Sequence, residues 1–349
     1  MRIAGVASAF PRQYYSQQQV ATALKRHWSD GLGNPEILDR LFARVGVKGR
    51  HLALPIEAYD ELTTWGRANN TWIEIAEELA QESLCKSLTR AGLSERDVDA
   101  IFFVSVTGVA SPSIDARLIN RMHLRADVKR NPIFGLGCVA GAAGIARAAD
   151  YVRAYPGHVA ALISVELCSL TWQRNDLSMA NLISAGLFGD GSASVIVAGE
   201  DRQANGPRVL ATRSSFYRGT EDVMGWDISE EGFKIVLSAD VPTMVRKHLA
   251  HDIDAFLAEY DLSRDDIDTW IMHTGGPKVL KATAEALQLP DGALDVSWQS
   301  LRKVGNLSST SVLLVLEEFM NRRRPPADSY SILAAMGPGF CAELVLLRW

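Results

Sequence analysis

Apolar residues along the chain fall into short unbroken runs separated by stretches of helical spacing, the alternation expected of strands and helices packed in layers. The first run, residues 3–10, is closed by Pro11 and has the length of a β-strand. Ser16-Gln17-Gln18-Gln19 has the Ser-x-x-Gln form of a capping box and predicts a helix over 18–27. Pro35, suited to the first helical position, predicts a second helix with Ile37, Leu38, Leu41, Phe42 and Val45 on one face. Arg40 and Arg44 share another face of it, and Lys48 and Arg50 follow: either a solvated basic edge or a grip on an anionic ligand tail. Thr71-Trp72-Ile73-Glu74, a further capping box, predicts the start of a long amphipathic helix reaching about residue 90, and the run 100–106 reads as a buried strand.

The pattern then returns. Leu93-Ser94-Glu95-Arg96-Asp97-Val98-Asp99 ahead of that strand is matched by Leu262-Ser263-Arg264-Asp265-Asp266-Ile267-Asp268 ahead of 269–273, with Leu, Ser, Asp and Asp at a constant offset of 169. Gly137-Cys138 before one helix is echoed at an offset of 168 by Gly305-Asn306 before another, 307–321. The strand 160–165 is echoed by 331–336. Phe188-Gly189-Asp190-Gly191 before 192–198 is echoed by Gly337-Pro338-Gly339-Phe340 before 341–347, the first copy carrying an insertion of about twenty residues. Four matches in one order predict a duplicated α/β unit, residues 1–200 and 207–349, with a polar link near 199–208 and layered mixed sheets around central helices.

Composition narrows the function. With 349 residues, 47% hydrophobic and 22% charged, the chain can bury a sizeable core. A net charge of −5 and the lack of a basic stripe argue against nucleic acid as a partner; the densest basic cluster, Arg322-Arg323-Arg324, is short and followed by Pro325-Pro326. The four cysteines, Cys85, Cys138, Cys168 and Cys341, form no Cys-x-x-Cys pair, which argues against a zinc site or a disulfide framework and fits a reducing cytoplasm. No run approaches the roughly 18 apolar residues of a membrane span, and the apolar start is too short for a signal peptide.

The chemistry gathers at Gly135-Leu136-Gly137-Cys138-Val139-Ala140-Gly141-Ala142-Ala143-Gly144, a tight Gly-x-Gly turn followed by residues so small that they predict a closely packed, buried helix. Cys138 at its start would have its thiolate favoured by the helix dipole, a buried structural cysteine being the plain alternative. If the halves are related by a pseudo-twofold, Cys138 and Asn306 face a common centre, and His273 sits where a strand ends in Thr274-Gly275-Gly276. Such a thiolate, stabilised by His273 as an ion pair, can take an acyl group from a thioester, while the Asn306 amide and the imidazole N–H can hold an enolate oxygen. No metal or other cofactor is needed.

With these residues in this order, the chain resembles the type III polyketide synthases, the chalcone-synthase-like branch of the thiolase-fold condensing enzymes. The matching pieces are Gly137-Cys138-Val139-Ala140-Gly141, Phe188-Gly189-Asp190-Gly191, His273-Thr274-Gly275-Gly276-Pro277, Gly305-Asn306-Leu307-Ser308-Ser309 and Gly337-Pro338-Gly339-Phe340. The related initiating ketoacyl synthases share Cys, His and Asn but usually carry His-Gln-Ala-Asn at the histidine, which is absent here. The resemblance implies an α/β thiolase-like fold in αβαβα layers, a homodimer, and acyl-CoA and malonyl-CoA as substrates. It implies that Cys138 carries the starter and the growing chain, that His273 and Asn306 drive malonyl-CoA decarboxylation, and that Phe188 stands between the CoA tunnel and the cavity. Gly275, Gly276 and Ser308, within the matched motifs, are implied to border the substrate. Arg40 and Arg44 match two of three basic positions that hold CoA phosphates; the third is Ile37.

Two departures predict the substrate. Ile235 and Ser111 stand where the family often has larger side chains, which leaves room for a long aliphatic starter and predicts an alkylpyrone or alkylresorcinol product. Cys168, in Glu166-Leu167-Cys168-Ser169-Leu170-Thr171, would line that cavity or simply pack in the core. Two rivals keep part of the pattern. A papain-like hydrolase shares the Cys, His, Asn order but lacks Cys-Gly-Ser-Cys-Trp and leaves the duplication unexplained; a non-catalytic acyl-binding homologue would have no use for all three reactive groups.

Overall fold

Strand order and direction in the first half are used again in the second. The computed structural model describes residues 1–28, 31 and 34–349. In chain order the first half builds β1 (Arg2–Ala9), β2 (Gln13–Ser16), α1 (Gln17–His27), α2 (Glu36–Arg44), β3 (Gly49–Leu52), α3 (Trp65–Ala91), β4 (Ala100–Ser105), α4 (Ile114–Arg121), β5 (Lys129–Phe134), α5 (Ala140–Ala154), β6 (Val159–Leu167), α6 (Met179–Leu187) and β7 (Asp190–Ala198). The second builds β8 (Arg208–Phe216), β9 (Met224–Ser229), β10 (Gly232–Leu237), α7 (Val241–Ala258), β11 (Ile267–Met272), α8 (Pro277–Leu287), α9 (Asp295–Val304), α10 (Thr310–Asn321), β12 (Tyr330–Gly337) and β13 (Cys341–Arg348).

The main sheet runs β11-β12-β13-β8-β1-β7-β6-β4-β5. From its middle outward, β1 lies antiparallel to β7, β7 antiparallel to β6, and β6 parallel to β4. On the other side β8 lies antiparallel to β13, β13 antiparallel to β12, and β12 parallel to β11. The halves meet where Arg2 of β1 pairs with Arg208 of β8. The sequence repeat is visible in detail: the turns leading into β4 and β11 carry the same capping box, Ser94 with Asp97 and Ser263 with Asp266.

Layering follows from which faces are apolar. Every residue of β6 and of β7 is buried, as expected of strands covered on both faces. Helix α3 covers β1, β6 and β7 on one side; α5 and α10 pack between the two halves; α7, α8 and α9 lie beyond β11, β12 and β13. The small residues of α5 permit that central contact. A Cβ on Gly141 would lie 2.2 Å from the Ser309 carbonyl oxygen and 2.8 Å from Val312 Cγ1, so only glycine fits between the two central helices.

Three local expectations shift. Helix α3 starts at Trp65, capped by Thr64, whose hydroxyl accepts from the Arg67 N–H at 3.3 Å. The Thr71 box therefore lies inside a helix whose buried face already includes Ala68, Trp72 and Ala76. The second central helix begins at Thr310 rather than Leu307, because residues 306–309 form the turn that builds the site. Cys138 lies in a 3₁₀ turn, Gly137–Val139, just ahead of α5.

Candidate active site

Two turns, one from each half, bring a sulfur and an amide together at the leading ends of the central helices. Cys138 Sγ lies 3.6 Å from Ser308 Oγ, in the turn that carries Asn306. Gly137 holds φ +55°, and a Cβ there would come within 2.7 Å of Pro338, so the Gly-Cys turn needs glycine for both conformation and space. His273 follows β11, its backbone N–H donating to the Ala334 carbonyl of β12 at 3.0 Å. Cys138, His273 and Asn306 line one cavity of about 700 Å³ together with Phe188, Gly275 and Gly276.

Asn306 is oriented by its surroundings. Its Oδ1 accepts from the Ser308 N–H at 2.8 Å and the Ser311 hydroxyl at 3.2 Å, which leaves the NH₂ end for a ligand. Ser308 adopts φ +46°, a left-handed conformation rare for a residue with a side chain and held here by that Asn306 contact. Phe188 is fixed with equal care. The wholly buried Arg50 donates to the carbonyls of Ala185 at 2.8 Å and Phe188 at 2.9 Å, closing the C-terminal end of α6. Arg50 is thus a helix cap and not part of a grip on an anionic tail. Asp190, buried just after Phe188, accepts from the N–H of Ala53 at 2.6 Å and of Ser169 at 2.9 Å, and burial pushes its carboxyl up to about 6.

Burial dominates the electrostatics. Cys138 is 6% exposed, and burial pushes its thiol up to about 12, against the opposing pull of hydrogen bonds from Ser308 and Asn306. His273 is 8% exposed, and burial takes its imidazole down to about 4; its Nδ1 has no partner among the described residues. Burial thus disfavours the charged form of both groups, working against the thiolate–imidazolium pair expected from the sequence. A helix terminus contributes about 0.3–1 kcal/mol, less than one pKa unit, and cannot offset desolvation on this scale.

A carboxylate absent from the sequence-based site stands behind the pair. Glu166 is fully buried on β6 and accepts from the Val106 N–H at 3.1 Å, from Thr107 Oγ1 at 2.9 Å, from Ser105, and from Ser309, three residues after Asn306. Burial raises its carboxyl to about 7. Its one sequence signal is a lone acid in a strand that is apolar but for Ser164.

A second cavity, of about 50 Å³, lies on the inner side of Cys138. Cys138 and Phe188 border both spaces, whereas His273 and Asn306 border only the large one. Cys168, Ile235 and Ser308 line this second space. Ser111 does not. It is exposed and borders neither cavity; in the same loop Val109 is held by Asn69 through both its N–H and its carbonyl. At the wide mouth, Ile37, Arg40 and Arg44 are joined by Lys278 in the first turn of α8, a cation that sequence reading passed over although it directly follows His-Thr-Gly-Gly-Pro. Among the described residues no cluster of His, Cys, Asp and Glu is arranged to hold a metal ion, and no helix is long and apolar enough to cross a membrane.

Comparison with known proteins agrees with this geometry. Residues 2–201 match chalcone and stilbene synthases, N-terminal domain, and residues 209–349 match the C-terminal domain of the same family. A 1,3,6,8-tetrahydroxynaphthalene synthase of Streptomyces peucetius subsp. caesius is 51% identical over 99% of this chain and 93% of its own. A putative chalcone synthase of Bacillus subtilis is 35% identical over 99% and 98%. The crystal structure of 1,3,6,8-tetrahydroxynaphthalene synthase from Streptomyces coelicolor superposes with a TM-score of 0.93 at 31% identity, covering 100% of this chain and 99% of that one.

Proposed function

The chain belongs to the chalcone and stilbene synthase family, the type III polyketide synthases, and from that premise we propose that it assembles a short, malonyl-derived polyketide on Cys138. The observation that carries this reading is that Cys138 borders two spaces, one of about 700 Å³ shared with His273 and Asn306 and one of about 50 Å³. The smaller is a seat with room for a two-carbon unit, about the space of one or two waters.

The residues divide the work as follows. As an acyl-CoA carbonyl meets Cys138, the thiol proton passes to His273, sulfur bonds to the carbonyl carbon, and CoA leaves as its thiol with that proton. Malonyl-CoA then enters the wide cavity, its phosphates met by Arg40, Arg44 and Lys278 and its malonyl end confined by Phe188. Loss of CO₂ leaves the bonding electrons on the thioester as an enolate, whose oxygen is held by the imidazole N–H and the Asn306 NH₂. The enolate carbon attacks the acyl group on Cys138, the carbon–sulfur bond breaks, and sulfur is released as thiolate with the chain longer by two carbons on CoA. No metal or cofactor enters this sequence.

The relative at 51% identity is a 1,3,6,8-tetrahydroxynaphthalene synthase, and that carbon skeleton corresponds to a chain built wholly from two-carbon units with no alkyl tail. A two-carbon starter with no alkyl tail, as such a product requires, fits the small seat. The alkylpyrone or alkylresorcinol expected from a long starter finds less support, since Ser111 borders neither cavity and Ile235 faces the small one. The same proposal includes a homodimer, for which the unpaired edge of β5 offers a surface, acting in a reducing cytoplasm that suits its free cysteines. Mass spectrometry of products from malonyl-CoA alone, and with a panel of acyl-CoA starters, tests the reading. It predicts a product from malonyl-CoA alone; products that all carry an alkyl tail would contradict it.

A further inference from the structure

The inner seat contains hydrogen-bonding capacity that the folded chain leaves unmatched. Its lining is largely apolar: Val106, Met224, Trp226, Ile235 and Leu237. Of its polar members, Asn181 has both N–H bonds engaged by the carbonyls of Gln173 at 3.1 Å and Asp176 at 2.6 Å. Thr107 donates to Glu166 at 2.9 Å, and Thr171 donates to the Cys168 carbonyl at 2.8 Å. Ser184 and Trp172 differ. The Ser184 hydroxyl and the Trp172 indole N–H are shut off from solvent and have no partner among the described residues.

Neither omission is ordinary. A serine inside a helix usually returns its hydroxyl to the carbonyl one turn back, yet Ser184, 8% exposed within α6, does not. An indole N–H is a donor only, so whatever satisfies Trp172 must be an acceptor. Buried donors without partners are unfavourable; Trp172 also borders two outer clefts, and the inner cavity is the space that the two side chains share.

We propose that Ser184 and Trp172 are specificity-determining residues whose donors hold a carbonyl or carboxyl oxygen of the acyl group on Cys138, so that the seat selects a short oxygen-bearing chain over an alkyl one. The inference rests on the polyketide-synthase reading of the preceding section and names the substrate feature that this site recognises. An alkyl starter would leave both donors unmatched, whereas a malonyl-derived β-keto chain presents an oxygen at every second carbon. Discrimination of this kind, by a polar group that the wrong substrate leaves unpaired, is stronger than discrimination by size alone.

A competition assay tests it: the purified chain is given malonyl-CoA with octanoyl-CoA, and the ratio of octanoyl-primed to malonyl-primed products is read by mass spectrometry. Because the ratio is internal, it does not depend on how much of a variant is folded. Ser184→Ala, which deletes the hydroxyl, and Trp172→Phe, which removes the N–H and keeps an aromatic ring, should each raise the ratio about fivefold or more, the effect of losing one hydrogen bond. Ratios equal to that of the parent in both variants would overturn the proposal while leaving the enzyme class standing. A parent that makes no polyketide from either starter would instead overturn the reading beneath it, and the proposal with it.

Discussion

Asn306 and Phe188 are joined backbone to backbone across the two halves of the chain. The Asn306 N–H donates to the Leu187 carbonyl and the Asn306 carbonyl accepts from the Gly189 N–H, both at 2.9 Å, forming a parallel bridge between residues 118 positions apart in sequence. In the proposed mechanism the Asn306 amide meets the enolate oxygen and the Phe188 ring confines the malonyl group, and this bridge fixes the two residues relative to each other before any substrate arrives, which is the condition for electrostatic preorganisation.

Replacing Asn306 tests that role. Asn306→Ala removes the NH₂ donors and should slow decarboxylation of malonyl-CoA by roughly 10²-fold, as expected for loss of one oxyanion-type donor. Release of CO₂ per folded enzyme is the measurement, and an unchanged rate would remove the amide from the mechanism.

At the mouth, Lys278 supplies a third cation beside Arg40 and Arg44, where Ile37 supplies none. Lys278→Ala should raise KM for malonyl-CoA by about threefold to tenfold with kcat little changed, the signature of a lost uniform binding contact. The effect should shrink at high salt. A KM equal to that of the parent at low ionic strength would place the CoA phosphates elsewhere.

Glu166 gives the fold a pH dependence of definite sign. Its carboxyl titrates near 4.5 in the unfolded chain and near 7 when buried, so the unfolded state releases the proton first. Its contribution to stability is fully present below pH 4.5 and is lost as pH rises through 7, with a slope of up to about 1.4 kcal/mol per pH unit. Asp190, raised to about 6, acts in the same direction and is unchanged in the variant. Glu166→Gln should therefore show a smaller fall in Tm between pH 5 and pH 8 than the parent. Parallel Tm curves would contradict the burial argument.

The contact of the central helices is equally exposed to test. Gly141→Ala places a methyl group 2.2 Å from the Ser309 carbonyl oxygen and should destabilise the fold by about 1–3 kcal/mol through overpacking. It should also lower condensation activity, because Ser309 belongs to the turn that carries Asn306. Chemical denaturation reads the first effect; a midpoint equal to that of the parent would mean that the helices can separate at no cost.

What the sequence made legible was mainly what local chemistry decides. The capping box at Ser16 forms as read, and the repeat at a near-constant offset becomes a repeated strand order, with the matched segments turning out to carry capping boxes at Ser94 and Ser263. The Thr71 box shows the limit of that approach: its pattern is sound, yet Thr64 already caps the helix and Ala68 extends its buried face upstream. Properties set by distant segments were not legible. The Cys138 thiol takes its character from burial by both halves, which outweighs the helix end in front of it. Ser111 lies exposed in a loop whose Val109 is held by Asn69, forty residues earlier, and no local signal marks this. The unmatched donors of Ser184 and Trp172 become visible only once every neighbour's partner is known.

The most direct test of the account is to find where the acyl group is carried. The chain is incubated with malonyl-CoA, quenched in acid, digested and mapped by mass spectrometry, alongside Cys138→Ala. The account predicts an acyl mass on the peptide containing Cys138 in the parent, and neither adduct nor polyketide product in the variant. An acyl group on Cys168 or Cys341, or product formation that survives Cys138→Ala, would contradict it.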